Sequence, residues 1–365
     1  MRVKKNPRRL RLLILNGALV LLCLSCLLGA RFVATRLQTL HAAERWRGES
    51  EMVFAQIACY LPEGEGITPG TIESYHETLD QKFIDASLEA PEGGRLYTDA
   101  ACAARPLTFS SDHGSATVQA LGVLGDFFLF HPYELRCGSY LSPDDLMLDR
   151  VVLDESAAWQ LFGGMDVAGL TVYLGDYPFY VAGVVRRESD FASKAAWDQT
   201  AGVFMSYQAL KSYLGEDADL ELCSYEIVVP EILSGYGENM VRESFPLGRG
   251  DLVNNSARYS LKHLWSVARD FGKRSMRLKS ILYPYWENAA RMTEDYLSLL
   301  LAQAVIFGLC PFICLVVLVI QGLKRGGHWA GKKIPQTVED AVEHHRRKAW
   351  DKKHPAEESE EVPEA

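Results

Sequence analysis

The chain has 365 residues, of which 48% are hydrophobic and 23% are charged, and its formal net charge is −9. This length is sufficient for one large domain or two small ones. The acidic balance excludes nucleic-acid binding as a function class, because acidic surfaces and the phosphate backbone repel each other.

Two long apolar segments lie near the ends of the chain. Residues 12–33 contain no charge before Arg31, and residues 297–320 contain none. Each segment forms a helix long enough to cross a hydrocarbon core of about 30 Å. We therefore predict two transmembrane helices over these residues. The alternative is a pair of buried core helices, but uncharged segments of this length are rare in soluble proteins.

Basic residues flank both predicted spans on the sides facing the termini. Residues 1–11 form a basic tail, and Lys324 and Arg325 follow the second span. Because Lys and Arg are enriched in cytoplasmic flanks, both termini are predicted to be cytoplasmic. The charged segment 321–365 is predicted by composition to be a disordered tail. A cleaved signal peptide is an alternative for the first span, although its apolar stretch exceeds the usual length of about 7–15 residues.

Residues 34–295 are predicted to form an acidic domain outside the membrane. They contain 22 Lys and Arg against 38 Asp and Glu, a net charge of −16. Helical spacing over residues 35–50 predicts a stalk helix, and strand-like spacing follows near residues 53–57. Residues 71–87 predict an amphipathic helix. Residues 94–126 hold two alternating runs separated by SSDHGS, which predicts a β-hairpin.

The middle of this domain contains a strand, an acidic turn and a helix. The stretch RVVLDESAAWQLFGG at 150–164 ends its apolar run at Asp154 and then changes to helical spacing. Asp154 or Ser156 is expected to cap the helix, and Glu155 is favoured there by the helix dipole. General acid or base catalysis by Asp154 and Glu155 is the alternative, but neither has a His or Lys nearby in sequence.

Further elements are predicted on both sides of this corner. The sequence SPDD at 142–145 is typical of a helix start. Residues 167–185 predict a second hairpin, and residues 202–214 predict a strand followed by a helix with Ser206 as its cap. Residues 224–230 predict another strand.

The end of the domain is predicted to be a second stalk. Residues 258–296 show a long helical pattern that leads into the second span. An interfacial belt of aromatic side chains is expected here, formed by Tyr283, Tyr285, Trp286 and Tyr296. Together, these patterns predict an α+β domain carried on two helical stalks.

The eight cysteines divide between the spans and the domain. Four lie in or near the spans, where thiols pack as small apolar groups: Cys23, Cys26, Cys310 and Cys314. Four are external and could form two disulfides in any of three connectivities: Cys59, Cys102, Cys137 and Cys223. We favour Cys59–Cys102 and Cys137–Cys223, since each pair joins segments expected to share a subdomain. Four buried free thiols are the alternative.

The sequence contains no recognisable catalytic or cofactor-binding motif. P-loop, GxSxG, HExxH and EF-hand patterns are all missing. The histidines are scattered and none has the spacing of metal ligands. We therefore predict that the protein is not an enzyme, with no catalytic, cofactor-binding or metal-binding residues.

Five segments in a fixed order resemble a known family. They are GVLGDFFLF (122–130), CGSYLSPDD (137–145), RVVLDESAAWQLFGG (150–164), VAGLTVYLGDYPFYVAGVV (167–185) and GVFMSYQAL (202–210). As an ordered set they resemble the MacB-like periplasmic core domain of the MacB/FtsX-type ABC transporter permeases. The clear part of this resemblance covers about a third of the chain.

The resemblance implies a fold and a set of partners. The fold would be an extracytoplasmic MacB-like core domain over 34–295, flanked by the transmembrane helices 12–33 and 297–320. In this family the domain is a non-catalytic scaffold that couples to an ATP-hydrolysing subunit inside the cell. A family permease has one span before the domain and three after it, whereas this chain has one on each side. A separate ABC ATPase and a separate FtsX-like permease chain are therefore expected, in a bacterial plasma membrane.

Three functions are compatible with these observations. The first is a non-catalytic component of an ABC-type transport system, whose external domain binds or displaces a substrate or partner outside the membrane. The second is a stand-alone membrane-anchored module that binds or senses an envelope ligand or peptide. The third is an envelope enzyme, which the lack of a nucleophile or metal constellation disfavours.

Overall fold

The computed structural model describes residues 7–65, 67–90, 94–142, 145–196, 202–215, 218–274 and 284–353. Side chains are described for all of these except 7–9, 273–274, 325–337 and 351–353. The chain divides into two compact units. One unit comprises Cys26–Ala302, and the other combines the segments before and after it.

The described residues contain eleven α-helices and ten β-strands. The helices are α1 (Pro7–Ala34), α2 (Ala42–Arg47), α3 (Pro69–Asp85), α4 (Phe127–Phe130), α5 (Glu155–Phe162), α6 (Phe191–Ala196), α7 (Tyr207–Leu214), α8 (Tyr236–Ser244), α9 (Leu261–Arg269), α10 (Phe271–Arg274) and α11 (Tyr285–Lys353). The strands are β1 (Phe54–Tyr60), β2 (Thr98–Ser110), β3 (Ser115–Gly125), β4 (Glu134–Gly138), β5 (Arg150–Asp154), β6 (Thr171–Leu174), β7 (Tyr177–Arg186), β8 (Gly202–Ser206), β9 (Ser224–Pro230) and β10 (Asp251–Asn254). Short 3-10 turns at Gln38–Leu40 and Asn255–Ala257 precede α2 and follow β10.

Two of the helices contain segments long and apolar enough to cross a membrane. These segments are Leu10–Ala34 in α1 and Tyr285–Lys324 in α11. Their apolar side chains are largely exposed, as at Leu13 (69%) and Phe312 (63%), whereas a soluble core helix would bury them. The prediction of two apolar helices flanking the domain is therefore confirmed.

Helix α11 continues much further than the sequence indicated. The segment 321–365 was predicted to be disordered, but α11 extends through it to Lys353. Ala, Glu, Lys and Arg are frequent here and have high helix propensity, and extending an existing helix requires no new nucleus. The prediction was therefore wrong for 321–353, and residues 354–365 lie outside the described part of the chain.

The ten strands form one mixed sheet within Cys26–Ala302. Their order is β10–β1–β9–β2–β3–β8–β5–β7–β4, and β6 pairs with β2 and β7 at one end. The pairs β3–β8 and β5–β7 are parallel, and the other pairs are antiparallel. Together with the helices, this sheet confirms the predicted mixed fold of α and β elements.

Both faces of the sheet are buried. In β5, Val151 and Leu153 point into one apolar cluster and Val152 points into another, which follows from the two-residue period of a strand. The first cluster includes side chains from α3, α5, α7 and α8. The second includes side chains from α2, α4 and the first turn of α11. The sheet is thus a central layer between two layers of helices.

Most predicted elements of the domain are present. Both hairpins form, as β2–β3 and β6–β7, and the strand at 224–230 is β9. Ser206 caps α7, accepting a hydrogen bond of 3.2 Å from the Gln208 N–H. The short strands β4 and β10 are not predicted from the sequence, because each has only four or five residues and none of them is buried.

Two predicted helices are wrong. Residues 35–50 form a 3-10 turn and the six-residue α2 in place of one stalk helix. The helix start at 142–145 is not followed by a helix in the described residues 145–149, and residues 143 and 144 lie outside the described part. A capping sequence starts a helix only when an apolar face follows, and here the next residues Leu146 and Met147 are exposed.

Candidate functional site: the helix seat

The first turns of α11 are embedded in the external domain. Within α11, Trp286, Glu287 and Glu294 are at most 4% exposed. We use the term helix seat for the domain side chains that surround this part of α11: Phe127, His131, Tyr133, Arg187, Glu188 and Arg258.

One part of the helix seat, around Trp286, is aromatic. The His131 ring packs against the rings of both Phe127 and Trp286, with centroid distances of 4.4 and 4.5 Å. Its Nε2 atom lies 2.6 Å from Glu226 Oε2, and both side chains are buried. Glu226 in β9 therefore holds the His131 ring in place, and Trp286 packs against that ring.

A polar group holds the first residue of α11. The Tyr285 hydroxyl lies 2.8 Å from the Tyr133 hydroxyl and 3.2 Å from Glu188 Oε2. The Arg187 guanidinium lies over the Tyr285 ring, 5.2 Å from its centroid. Burial raises the pKa of Glu188 above its usual value, and burial also raises the pKa of the Tyr133 hydroxyl.

A second part of the helix seat, around Glu287 and Glu294, is ionic. Arg258 follows the 3-10 turn after β10, and its side chain is 1% exposed. The Arg258 Nη2 atom lies 2.7 Å from each of the two Glu287 carboxylate oxygens. The Arg258 Nε atom lies 2.8 Å from Glu294 Oε1. Glu287 and Glu294 are seven residues apart, two helical turns, so both face Arg258 from the same side of α11.

The charges around Arg258 decide its protonation. Burial alone would lower the pKa of Arg258, but the carboxylates of Glu287 and Glu294 outweigh burial and raise that pKa above its ordinary value. Arg291 adds a second cation 2.6 Å from Glu287, and His263 Nε2 lies 3.3 Å from Glu294. Removing one member of such a buried group would leave an uncompensated charge, which costs about 3–5 kcal/mol.

The segment that follows α1 enters the domain beside α11. Leu37 and Leu40 form a small buried cluster with Ala192, Ala289 and Ala290. The last two residues belong to the second turn of α11. The chain after the first apolar helix and the chain before the second are therefore packed together inside the domain.

A buried glutamine fixes the segment after α1 to the sheet. Gln56 in β1 is fully buried. Its Oε1 accepts a hydrogen bond of 2.9 Å from the Ala42 N–H, and its Nε2 donates one of 2.8 Å to the Thr39 carbonyl. Because a buried amide needs such partners, this segment has one favoured position on β1.

The acidic corner predicted from sequence is connected to the helix seat. Asp154 caps α5, accepting a hydrogen bond of 2.7 Å from the Ala157 N–H, which confirms that interpretation over Ser156. Its other oxygen lies 2.7 Å from both Arg187 Nη2 and the Gly202 nitrogen. Burial raises the pKa of Asp154, although Arg187 and the backbone donors oppose it. Asp154 therefore holds Arg187, which in turn lies over the Tyr285 ring.

The predicted interfacial aromatic belt is wrong for Trp286, and Tyr283 lies outside the described part of the chain. The Trp286 side chain is 4% exposed and packs inside the domain, and Tyr285 is half-buried beside it. Tyr296 packs against Phe191, with ring centroids 5.4 Å apart. Sequence alone does not separate the two cases, because aromatic side chains are frequent both at membrane interfaces and in cores.

The cysteine pairs favoured from the sequence do not meet. Cys59 and Cys102 lie on strands separated by β9, and their side chains belong to the clusters on opposite faces of the sheet. Cys137 lies on the edge strand β4, where its Sγ donates to the Met165 carbonyl at 3.2 Å. The thiol of Cys223 instead lies beside that of Cys102, and the structure holds all the cysteines unbonded.

The ionic part of the helix seat was missed in the sequence. In the sequence, Glu287 and Glu294 lie within the helical pattern that leads to the second span. The available signal for an ionic site is the pair of carboxylates seven residues apart, next to an apolar segment. If such carboxylates are buried, each needs a buried cation as its partner. The partner, Arg258, lies 29 residues before Glu287 and could not be identified by spacing. In the described part of the chain, no group of three or more His, Cys, Asp or Glu is placed to hold a metal ion.

Comparison with known proteins identifies the domain. A family model described as the MacB-like periplasmic core domain matches residues 65–229. The chain therefore carries, over residues 65–229, a domain that matches the MacB-like periplasmic core domain, which confirms the resemblance. With its two apolar flanking helices, it is a membrane protein with an extracytoplasmic domain.

Two solved structures are similar to this domain. The periplasmic region of MacB from Actinobacillus actinomycetemcomitans is 17% identical, with a TM-score of 0.39, over 59% of this chain and 94% of that chain. The extracellular domain of the noncanonic ABC-type transporter YknZ from Gram-positive bacteria is 14% identical, with a TM-score of 0.35, over 52% of this chain and 92% of that chain. A search of curated proteins found no match to the chain.

Proposed function

We propose that the protein is a non-catalytic component of an ABC-type transport system, in which the helix seat passes movement of the membrane helices to the external domain. The observation that carries this proposal is the buried group of Arg258 with Glu287 and Glu294. It fixes the beginning of α11 to the domain, because Arg258 lies within 2.8 Å of both buried carboxylates.

The continuity of α11 gives a physical route for this movement. The helix begins at Tyr285 in the helix seat and continues through the apolar segment without interruption. Because helices are stiff on this length scale, displacement of the apolar part would displace Trp286 and Glu287. The rings of His131 and Phe127 and the side chain of Arg258 would then have to follow, and they belong to the layers on the central sheet.

The proposed topology follows from charge. Basic flanks lie on the terminal sides of both spans, and the acidic residues 34–295 lie between them. Both termini would be cytoplasmic in a bacterial plasma membrane, with the domain outside. A separate ABC ATPase would supply the energy, and a separate FtsX-like permease chain would act with this chain in the membrane.

Purification of the tagged full-length protein tests this proposal. The membrane is solubilised in mild detergent, and the co-purifying chains are quantified by mass spectrometry. We expect a nucleotide-binding ATPase in stoichiometric amount, and ATP hydrolysis by the eluted complex. A folded protein that elutes alone would contradict the proposal.

A second candidate function has one observation in its favour. Met147 is 77% exposed and lines a concave pocket of about 450 Å³ together with Arg150 and Tyr180, and the neighbouring Leu146 is 93% exposed. Exposed apolar side chains at a concave site are typical of binding surfaces. A stand-alone module that binds an envelope peptide would use this surface. Loss of peptide binding in a Leu146→Ser, Met147→Ser variant of a protein that elutes alone would support it.

A further inference from the structure

Two cysteines from distant parts of the sequence lie side by side in the sheet. The Sγ atoms of Cys102 and Cys223 are 3.5 Å apart, although 121 residues separate them in the chain. Cys102 lies in β2, and Cys223 immediately precedes β9. The Cys223 N–H donates a hydrogen bond of 2.8 Å to the Cys102 carbonyl, which fixes the two backbones next to each other.

The two thiols differ in accessibility and in acidity. Cys102 is fully buried, whereas Cys223 is only partly buried. A hydrogen bond from the Cys102 thiol lowers the pKa of Cys223, and Arg105 adds to this effect. The same hydrogen bond and burial raise the pKa of Cys102. Cys223 is therefore the better nucleophile and the one a partner can reach.

The remaining gap between the sulfurs is small. A disulfide has an S–S distance of about 2.05 Å, so the sulfurs must approach by roughly 1.5 Å. Rotation about the Cα–Cβ bonds moves sulfur atoms by this amount without moving the strands. Ser224 Oγ lies 3.1 Å from Cys102 Sγ and can follow such a rotation.

We propose that Cys102 and Cys223 form a disulfide in the extracytoplasmic compartment. The oxidant is the disulfide of a thiol–disulfide oxidoreductase. The Cys223 thiolate attacks one sulfur of that disulfide, which forms a mixed disulfide and releases one thiolate of the oxidoreductase. The Cys102 thiolate then attacks Cys223 Sγ and releases the second thiolate. Two electrons and two protons leave the cysteine pair, and the oxidoreductase is reduced to its dithiol form.

This disulfide would covalently join two neighbouring strands near the centre of the sheet, beside the helix seat. It joins β2 to the beginning of β9, and Glu226 in β9 holds His131 against Trp286. The closed loop is long, so the bond would restrict the unfolded chain strongly. The disulfide therefore stabilises the strand that carries the aromatic part of the helix seat.

The other external cysteines provide internal controls. Cys59 is fully buried, and burial raises its pKa, so it is expected to remain an unreactive thiol in the folded protein. Cys137 is partly exposed and lies on the far edge strand of the sheet, so it is expected to remain a reactive thiol.

Alkylation of the full-length protein in intact membranes tests the proposal. Free thiols are trapped with iodoacetamide in denaturant without reductant, and the peptides are analysed by mass spectrometry. We expect a linked peptide pair containing Cys102 and Cys223, with Cys59 and Cys137 alkylated. Complete alkylation of both Cys102 and Cys223 in the absence of reductant would overturn the proposal, and so would Cys102 linked to Cys59.

Thermal unfolding gives a second measurement. Reductant should lower the unfolding midpoint of the wild-type protein by several degrees and leave the midpoint of Cys102→Ser, Cys223→Ser unchanged. Cys137→Ser is the matched control and should respond to reductant as the wild type does. Equal reductant sensitivity in the wild type and in the double variant would contradict a stabilising disulfide at this position.

Discussion

The buried pair of Asp154 and Arg187 depends on a glycine. A Cβ atom added to Gly202 would collide with the Arg187 guanidinium and lie 3.2 Å from Asp154 Oδ2. The missing side chain thus leaves the space in which Arg187 reaches Asp154 and lies over Tyr285. The sequence showed Gly202 only as the start of a strand, because the collision involves residues far away in the chain.

We predict that Gly202→Ala destabilises the domain. Arg187 would be displaced and would leave Asp154 buried without its cation, a change that costs about 3–5 kcal/mol. Denaturant unfolding of the full-length protein measures this loss. Gly164→Ala is the matched control, since a Cβ atom at Gly164 meets no atom within 4 Å and should change stability little. An equal effect of the two substitutions would show that Gly202 is not required by Arg187.

A histidine on α3 gives the domain a pH dependence. His76 Nε2 lies 2.5 Å from Asp99 Oδ2, and this hydrogen bond raises the pKa of His76, while partial burial opposes it. Because the folded-state pKa is the higher one, the stabilisation is fully present below the unfolded pKa of about 6.5. It is lost as the pH rises from that value through the raised pKa.

Unfolding measured across this pH range tests the role of His76. We expect the stability difference between the wild type and His76→Gln to be largest below about pH 6.5 and to shrink as the pH rises. His113 lies in an exposed turn, so His113→Gln is the control and should show no such trend. A difference that stays constant from acid to alkaline pH would contradict the assignment.

The attachment of α11 depends on a few charged side chains. We predict that Arg258→Met, which leaves Glu287 and Glu294 buried without their shared cation, costs about 3–5 kcal/mol of unfolding free energy. Arg242→Met removes an exposed pair with Glu238 and should cost less than about 0.5 kcal/mol. Denaturant unfolding of both variants decides this. Similar losses would mean that Arg258 does not fix α11 to the domain.

The sequence predicted elements whose pattern is local. The two hairpins, β9 and the corner at Asp154 follow from alternation, turn residues and helix capping within short segments. The helix seat did not follow, because it joins Arg258 to Glu287 and His131 to Trp286 across long stretches of chain. Burial of a charge is decided by such tertiary partners, and periodicity within one element does not show them.

The orientation of the whole molecule can be tested with a native thiol. Cys137 is partly exposed on the external domain. If the domain faces outward, a membrane-impermeant maleimide should label intact spheroplasts, and Cys137→Ser should remove most of the label. Labelling that requires permeabilised membranes would place the domain inside the cell and contradict the proposed topology.

The two apolar helices come close together within their own unit. A Cβ atom at Gly308 in α11 would lie 3.4 Å from the Cys23 Sγ atom in α1. Gly308→Cys should therefore form a disulfide with Cys23 under mild oxidation. Gly308→Ser, treated in the same way, controls for the substitution and for oxidation of the native cysteines.

ATP hydrolysis by the purified complex that carries this crosslink is the most direct test of the account. If the membrane helices must move to drive the external domain, oxidation of the Gly308→Cys complex should abolish hydrolysis, and reductant should restore it. The Gly308→Ser complex should stay active throughout. Full activity in the crosslinked complex would contradict the proposal that movement of α1 and α11 is passed through the helix seat.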